Sequence, residues 1–204
     1  MRIAVLGGSF DPPHLGHALI ARQVCEQLPI DKVWLLPCYN HTFNKTLSDA
    51  KDRLAMTKFL AKKDVTVSNL EIKTKASGAT IETLENLAKQ FPNDFFSWII
   101  GSDQLWEFHR WDRWKEIIAK HKLIVFPREI ALDNLADLTK KALKLSTIPK
   151  NITLMNSPQL ILTNISSSAI RKRIKENLSI DLLVPKGVDE YIRKHKLYEL
   201  STNN

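Results

Sequence analysis

The chain predicts an α/β fold with a doubly wound, mostly parallel sheet and helices on both faces. Three observations predict it. Short runs that are apolar on both faces, among them Ile3-Ala4-Val5-Leu6, Phe95-Phe96-Ser97-Trp98-Ile99-Ile100 and Leu123-Ile124-Val125-Phe126, suit strands covered on both sides. Stretches with helical periodicity alternate with them almost throughout. The first run also passes directly into the turn Gly7-Gly8-Ser9 and then into a helix, which opens a β-α-β unit.

The elements follow in order. A helix is expected over 18–28 and a second buried strand over 32–37, closed by Pro37. The segment 39–49 is polar and irregular and leaves the carboxyl end of that strand, where open α/β sheets bind ligands. His41, Lys45, Lys51 and Arg53 lie in or just after it, either as ligands or as a solvated basic loop. Leu54, Met56, Phe59 and Leu60 form a helical stripe, and 65–67 and 70–72 read as short strand pieces. Ser77-Gly78-Ala79-Thr80 enters a helix that runs to about Gln90, and hydroxyls at such a start read locally as caps. The strand 95–100 ends in Gly101-Ser102-Asp103, where the carboxylate is either a ligand group at the sheet edge or a helix cap. Trp114, Ile117 and Ile118 stand at helical spacing, and Trp106 and Trp111 lie outside that stripe. After the strand 123–126, a helix over 133–145 leads to 152–155, and 160–162 is expected to close the sheet region. Ile165-Ser166-Ser167-Ser168-Ala169-Ile170-Arg171 and Pro185-Lys186-Gly187 each introduce a helix, and the tail 201–204 is expected to fray.

At 204 residues the chain can bury a real core without disulfides. Cys25 and Cys38 form no C-x-x-C spacing, which points to a reducing, cytoplasmic setting. No apolar run reaches the ~20 residues that span a bilayer. The net charge of +8 favours anionic partners, and small polyanionic substrates satisfy it. The basic residues carry no RNA-binding signature, so neither a nucleic-acid nor a membrane partner is expected. A homo-oligomeric state stays open.

Two stretches carry chemistry. In Gly7-Gly8-Ser9-Phe10-Asp11-Pro12-Pro13-His14-Leu15-Gly16-His17, the small residues let backbone approach a bulky ligand. The N–H groups beyond the prolines lack intrahelical partners and make an anion site. His14 and His17, three apart, project from one helix face at the end that attracts negative charge. In the second stretch, three serines precede a helical run and Arg171 lies one turn in, where it can add a charged fork to an anion. Two anion sites suggest a polyphosphate held between them and a reaction at phosphorus.

These residues resemble a known family. Gly8 to His17 is similar to the (H/T)-x-G-H signature of cytidylyltransferase-like nucleotidyltransferases, and 165–171 to their I-S-S-T-x-I-R motif. Gly78-Ala79-Thr80-Ile81-Glu82-Thr83-Leu84 resembles the S-Y-T-I-D-T-L segment of nicotinate mononucleotide adenylyltransferases. Ile100-Gly101-Ser102-Asp103, Trp111, Leu123-Ile124-Val125 and Arg128 resemble their I-G-x-D…W…L-I-V-x-x-R series. The chain departs from the pattern in having 38–45 where P-P-H-K is usual, with His41 and Lys45 as the residues that could stand in. It also has Ala79 in place of Tyr, and Pro127-Arg128-Glu129 in place of an R-P-G turn.

The resemblance implies a Rossmann-like nucleotidyltransferase domain over 1–200, with 165–200 a C-terminal helical part that carries the second phosphate motif. It implies adenylyl transfer from ATP to nicotinate mononucleotide, or nicotinamide mononucleotide, in NAD biosynthesis, with Mg²⁺ bound through the ATP phosphates. His14, His17 and Arg171 would be catalytic. Gly8, Ser9, Phe10, Gly16, Gly101, Asp103, Ile165, Ser166, Ser167 and Ser168 would bind ATP. Thr80, Asp103, Trp111 and Arg128 would bind the pyridine nucleotide. Transfer to another phosphorylated acceptor such as phosphopantetheine, or a non-catalytic nucleotide- or RNA-binding role, are the alternatives.

Overall fold

Six parallel strands, β1 (Arg2–Gly8), β2 (Lys32–Pro37), β3 (Val65–Val67), β4 (Phe95–Gly101), β5 (Lys122–Phe126) and β6 (Ile152–Leu154), form one sheet in the order β3-β2-β1-β4-β5-β6. The computed structural model describes residues 1–41, 46–128 and 134–199. The strand order reverses between β1 and β4. Their carboxyl ends, Gly8 and Gly101, therefore flank the crevice where such sheets take ligands.

Alternation within β1 divides the core. Ile3 and Val5 face one layer with Trp98, Ile100, Leu123 and Val125, covered by Leu70 of α3 (Leu70–Thr74), Ile81, Leu84 and Leu87 of α4 (Thr80–Gln90), Ile117 of α5 (Trp114–Lys120) and Leu135 of α6 (Leu135–Leu143). Ala4 and Leu6 face the other layer with Val33, Leu35, Ile99, Ile124 and Phe126, covered by Ile20, Ala21 and Val24 of α1 (Leu15–Gln27). Burial on both faces is the reason the strand sequences read as nearly continuous apolar runs. A third cluster joins Met56 of α2 (Ala50–Thr57) to Ile170 of α7 (Ser167–Lys175) and Val188 and Ile192 of α8 (Lys186–His195).

Two expected strands are not strands. Residues 70–72 belong to α3, where Leu70 and Glu71 are both buried and Glu71 accepts from Thr83 Oγ1 at 2.7 Å. Three residues are too few to tell a period of 2 from one of 3.6. Residues 160–162 run as irregular chain beside α1, because a side chain occupies the place of a strand partner. The Gln23 amide accepts from Ile161 N at 2.6 Å and donates to the Ile161 carbonyl at 3.0 Å. Gln23 is buried, so Gln23→Ala leaves both peptide groups unpaired. It is expected to cost about 1–2 kcal/mol and to speed hydrogen exchange at the Ile161 amide, which native-state exchange measures. The expected start of a helix at Asp133 and the tail 201–204 lie outside the described residues.

Candidate active site

The first phosphate motif closes the gap between β1 and α1. His14 is the residue before the helix, in extended backbone, and its N–H donates to His17 Nδ1 at 3.1 Å. That bond fixes a tautomer: with Nδ1 accepting, the proton of a neutral His17 sits on Nε2, which is left as a donor. The two imidazoles lie 3.7 Å apart between centroids, and Phe10 packs on His17 at 4.6 Å. Gly16 makes room for this pair, since a Cβ there would lie 2.9 Å from His14 Nδ1. Gly7 does the same for Trp98, whose ring crosses from β4 to within 2.3 Å of where a Cβ would stand.

Burial holds both histidines neutral. His14, 2% exposed, is depressed to about 3 by desolvation, with the Arg128 charge adding to it. His17 is held well below 6.5, by desolvation first and then by the charges of His14 and Arg128. His14 Nδ1 is buried with no protein partner. The linkage sign follows from the depressed folded pKa. Below about pH 6.5 the unfolded chain takes up a proton that the folded chain refuses, so this contribution is complete above 6.5 and is lost as pH falls toward 3. Between pH 7.5 and 5.5, His14 is expected to account for about 1.4 kcal/mol of lost stability. Urea unfolding of wild type and His14→Gln at the two pH values measures the difference.

The second motif comes up against the first. Ser166 caps α7 by accepting from Ala169 N at 3.2 Å, and Ser167 Oγ donates to the Pro12 carbonyl at 2.8 Å. Arg171 Nη1 donates to the Asp11 carbonyl at 2.5 Å, and Nη2 reaches Ser168 Oγ at 3.3 Å. The serine hydroxyls thus build the junction, and Ser166, Ser167, Ser168 and Arg171 all line the cleft. Arg128, from the end of β5, donates to the Ile165 carbonyl at 3.2 Å and stands 3.8 Å from Asp103, just beyond the end of the neighbouring β4.

These parts line one cleft of about 550 Å³. Of the predicted site residues, Gly8, Ser9, Phe10, His14, His17, His41, Thr80, Gly101, Asp103, Trp111, Arg128, Ser166, Ser167, Ser168 and Arg171 line it. Gly16 and Ile165 lie outside the lining, and Lys45 lies outside the described residues. Thr80 does not cap α4, because the cap position falls on Ala79. Ser77 Oγ instead accepts from Ala79 N at 3.1 Å and donates to Glu82 at 2.6 Å. The start of α4 meets the cleft at Gly78 and Thr80. Asp103 is likewise no cap: Gly101 holds that position, and Asp103 sits in the first turn beyond it. Trp111 rests on buried Phe108, ring centroids 4.8 Å apart.

Sequence reasoning missed Trp98 and Glu71. Trp98 is a strand residue whose apolar neighbours hide it. Glu71, whose carboxyl burial pushes up, sat in a segment taken for a strand. Arg53 is neither ligand nor solvated: it is 1% exposed and donates to the carbonyls of Ser48, Ser9, Cys38 and Tyr39 at 2.9, 2.8, 2.7 and 3.1 Å. Among the described residues, no group of three or more His, Cys, Asp or Glu is placed to hold a metal, and no helix is long and apolar enough to cross a membrane.

The family model described as cytidylyltransferase-like matches residues 5–173. A probable nicotinate-nucleotide adenylyltransferase of Methylacidiphilum infernorum is 33% identical over 201 residues, covering 97% of this chain and 92% of its own. One from a Synechococcus species is 38% identical over 202 residues, with 97% and 96% covered. In three dimensions the chain is similar to the Plasmodium falciparum nicotinic acid mononucleotide adenylyltransferase complexed with NaAD, with a TM-score of 0.75, 22% identity and 97% of each chain covered.

Proposed function

The chain belongs to the cytidylyltransferase-like family and, within it, to the nicotinate-nucleotide adenylyltransferases, and from this we propose that it joins ATP to nicotinate mononucleotide, giving nicotinate adenine dinucleotide and pyrophosphate in NAD biosynthesis. The observation that carries the reading is the convergence of two helix N-termini, those of α1 and α7, with Arg171 and Arg128 on one cleft at the switch point of the sheet.

In this reading an oxygen of the acceptor phosphate attacks the α-phosphorus of ATP, the bond to the β-bridging oxygen breaks, and pyrophosphate leaves. A phosphate monoester has its second pKa near ~6, so the nucleophile is already ionised and neither a general base nor a covalent intermediate is needed. Catalysis is positioning and charge stabilisation. His17 Nε2–H donates to the α-phosphate and His14 lies beside it. Arg171 and the α7 N-terminus hold the side that leaves. Gly8, Ser9, Phe10, Gly101, Asp103 and Ser166 to Ser168 hold ATP, while Thr80, Trp111, Asp103 and Arg128 serve the pyridine nucleotide. The uncapped N-terminus of α4 favours an acidic ring substituent, which supports nicotinate over nicotinamide.

Mg²⁺ carried by the triphosphate would supply charge neutralisation. The cleft carries carboxylates at Glu71, Asp103, Glu107 and Asp112, but no metal-holding cluster is present among the described residues, which suits a cation held by phosphate and water rather than by a protein cage. Free Cys25 and Cys38 suit a cytoplasmic setting. Pyrophosphate release from ATP is the test. Turnover is expected with nicotinate mononucleotide, and kcat/KM at least about tenfold lower is expected with nicotinamide mononucleotide, the loss of one favourable charge interaction of ~1.4 kcal/mol. Release with phosphopantetheine and with neither pyridine nucleotide would replace this reading.

A further inference from the structure

The far C-terminal end of the described chain reaches back to the first phosphate motif. Asp11 is 3% exposed and does not line the cleft. Its carboxylate accepts from Tyr198 OH at 2.7 Å, from Ser48 Oγ, and from Ser48 N at 3.3 Å. Its own carbonyl is the anchor of Arg171, and the next carbonyl, of Pro12, is the anchor of Ser167. Leu15 N donates to the Leu183 carbonyl at 2.9 Å. Residues 11–15, which contain the His14 cap of α1, are thus held by distant segments as well as by the local His14–His17 bonds.

The backbone is bent to make the Tyr198 contact. Helix α8 ends at Lys196 in the left-handed region, φ 51°, where Leu197 N closes on the Ile192 carbonyl at 3.1 Å. The chain then turns again with Tyr198 itself at φ 66°. A bulky residue rarely adopts that conformation, and it persists only where its surroundings over-determine it. Here the turn delivers a single hydroxyl to a buried carboxylate. Burial and the neighbouring Asp11 charge raise the Tyr198 pKa, so the phenol keeps its proton and remains a donor.

We propose that Tyr198 is a positioning residue for adenylyl transfer: by bonding Asp11 it fixes the loop whose carbonyl orients Arg171 and whose end carries His14 and His17, so that both phosphate motifs face the same phosphorus. The proposal rests on the function given above. Tyr198 itself does not line the cleft, and its hydroxyl bonds Asp11 and Ser48, which do not line it either, so its removal acts on the alignment of the donors rather than on the fit of either substrate.

Tyr198→Phe removes the hydroxyl and keeps the ring. Steady-state rates with ATP and nicotinate mononucleotide are expected to show kcat lowered about 10- to 100-fold, with both KM values within about threefold. If Tyr198 acts through Asp11, the Tyr198→Phe/Asp11→Asn double variant loses no more than Asp11→Asn alone. The imidazole NMR signals of His14 and His17 are expected to shift in Tyr198→Phe, a readout that needs no turnover. An inactive wild type would overturn the adenylyltransferase reading while leaving that spectroscopic test of the loop intact. An active wild type with unchanged kcat in Tyr198→Phe, additive losses in the double variant, unshifted imidazole signals, or a rate loss that vanishes when corrected for folded protein would each overturn the proposal.

Discussion

His17→Ala is expected to lower kcat by about 10²–10³-fold, the usual consequence of removing one donor aimed at charge that develops in a transition state. The expectation rests on the tautomer. The backbone N–H of His14 holds His17 Nδ1 as an acceptor, which leaves Nε2 with the proton. A surface histidine would give half its population to the other tautomer or to the cation at neutral pH, and this one gives neither. His17→Asn separates the catalytic from the structural part. Its amide oxygen can still accept from His14 N, but its shorter side chain does not carry a donor to the position of Nε2. Alanine and asparagine variants are therefore expected to lose similar kcat, with asparagine keeping more of the stability. Because His14 and His17 both titrate far below 6.5 in the free protein, kcat/KM is expected to show no inflection from them between pH 6.5 and 8.5. Near-normal turnover by His17→Ala would remove His17 from the chemistry.

The legible parts of this chain are those in which one physical requirement dominates. Strands buried on both faces have to be apolar throughout, so β1, β2, β4 and β5 stand out at almost their observed limits. The stretches 7–17 and 165–171 stand out as well, because each brings small residues and donors to a helix start. The less legible parts are those in which a side chain replaces backbone. Gln23 pairs with the Ile161 peptide as a strand would, and a glutamine in an amphipathic helix gives no sign of that. The serines of 166–168 are legible as a helix start, but all three hydroxyls are engaged within the protein, by Ala169 N, the Pro12 carbonyl and Arg171 Nη2. Tyr198 depends on two left-handed residues, Lys196 and Tyr198 itself, that nothing in Lys196-Leu197-Tyr198 announces.

Arg53 is the furthest from a sequence reading and carries the largest expected effect on stability. A guanidinium in a polar segment after a strand reads as solvated, yet this one is fully buried, its hydrogen bonds go to carbonyls, and the buried Glu71 carboxylate lies near enough to feel its charge. It is satisfied by carbonyl oxygens from both loops that leave β1 and β2, those of Ser9, Cys38, Tyr39 and Ser48. Those loops carry Phe10 and Asp11 on one side and His41 on the other, so Arg53 ties together two walls of the cleft from beneath. Arg53→Met fills much of the volume and strands the carbonyls. The expected loss is on the order of 3–5 kcal/mol, a large share of the ~5–15 kcal/mol that holds a domain folded. Urea titration is expected to show a lowered midpoint at unchanged slope. Arg53→Lys keeps the charge, but a single ammonium on a flexible stem cannot span acceptors that the planar fork reaches together. Lysine is therefore expected to recover less than half of the loss. If lysine restores the midpoint in full, charge rather than the fork holds the two loops together; if methionine leaves it unchanged, the four carbonyl bonds contribute nothing net.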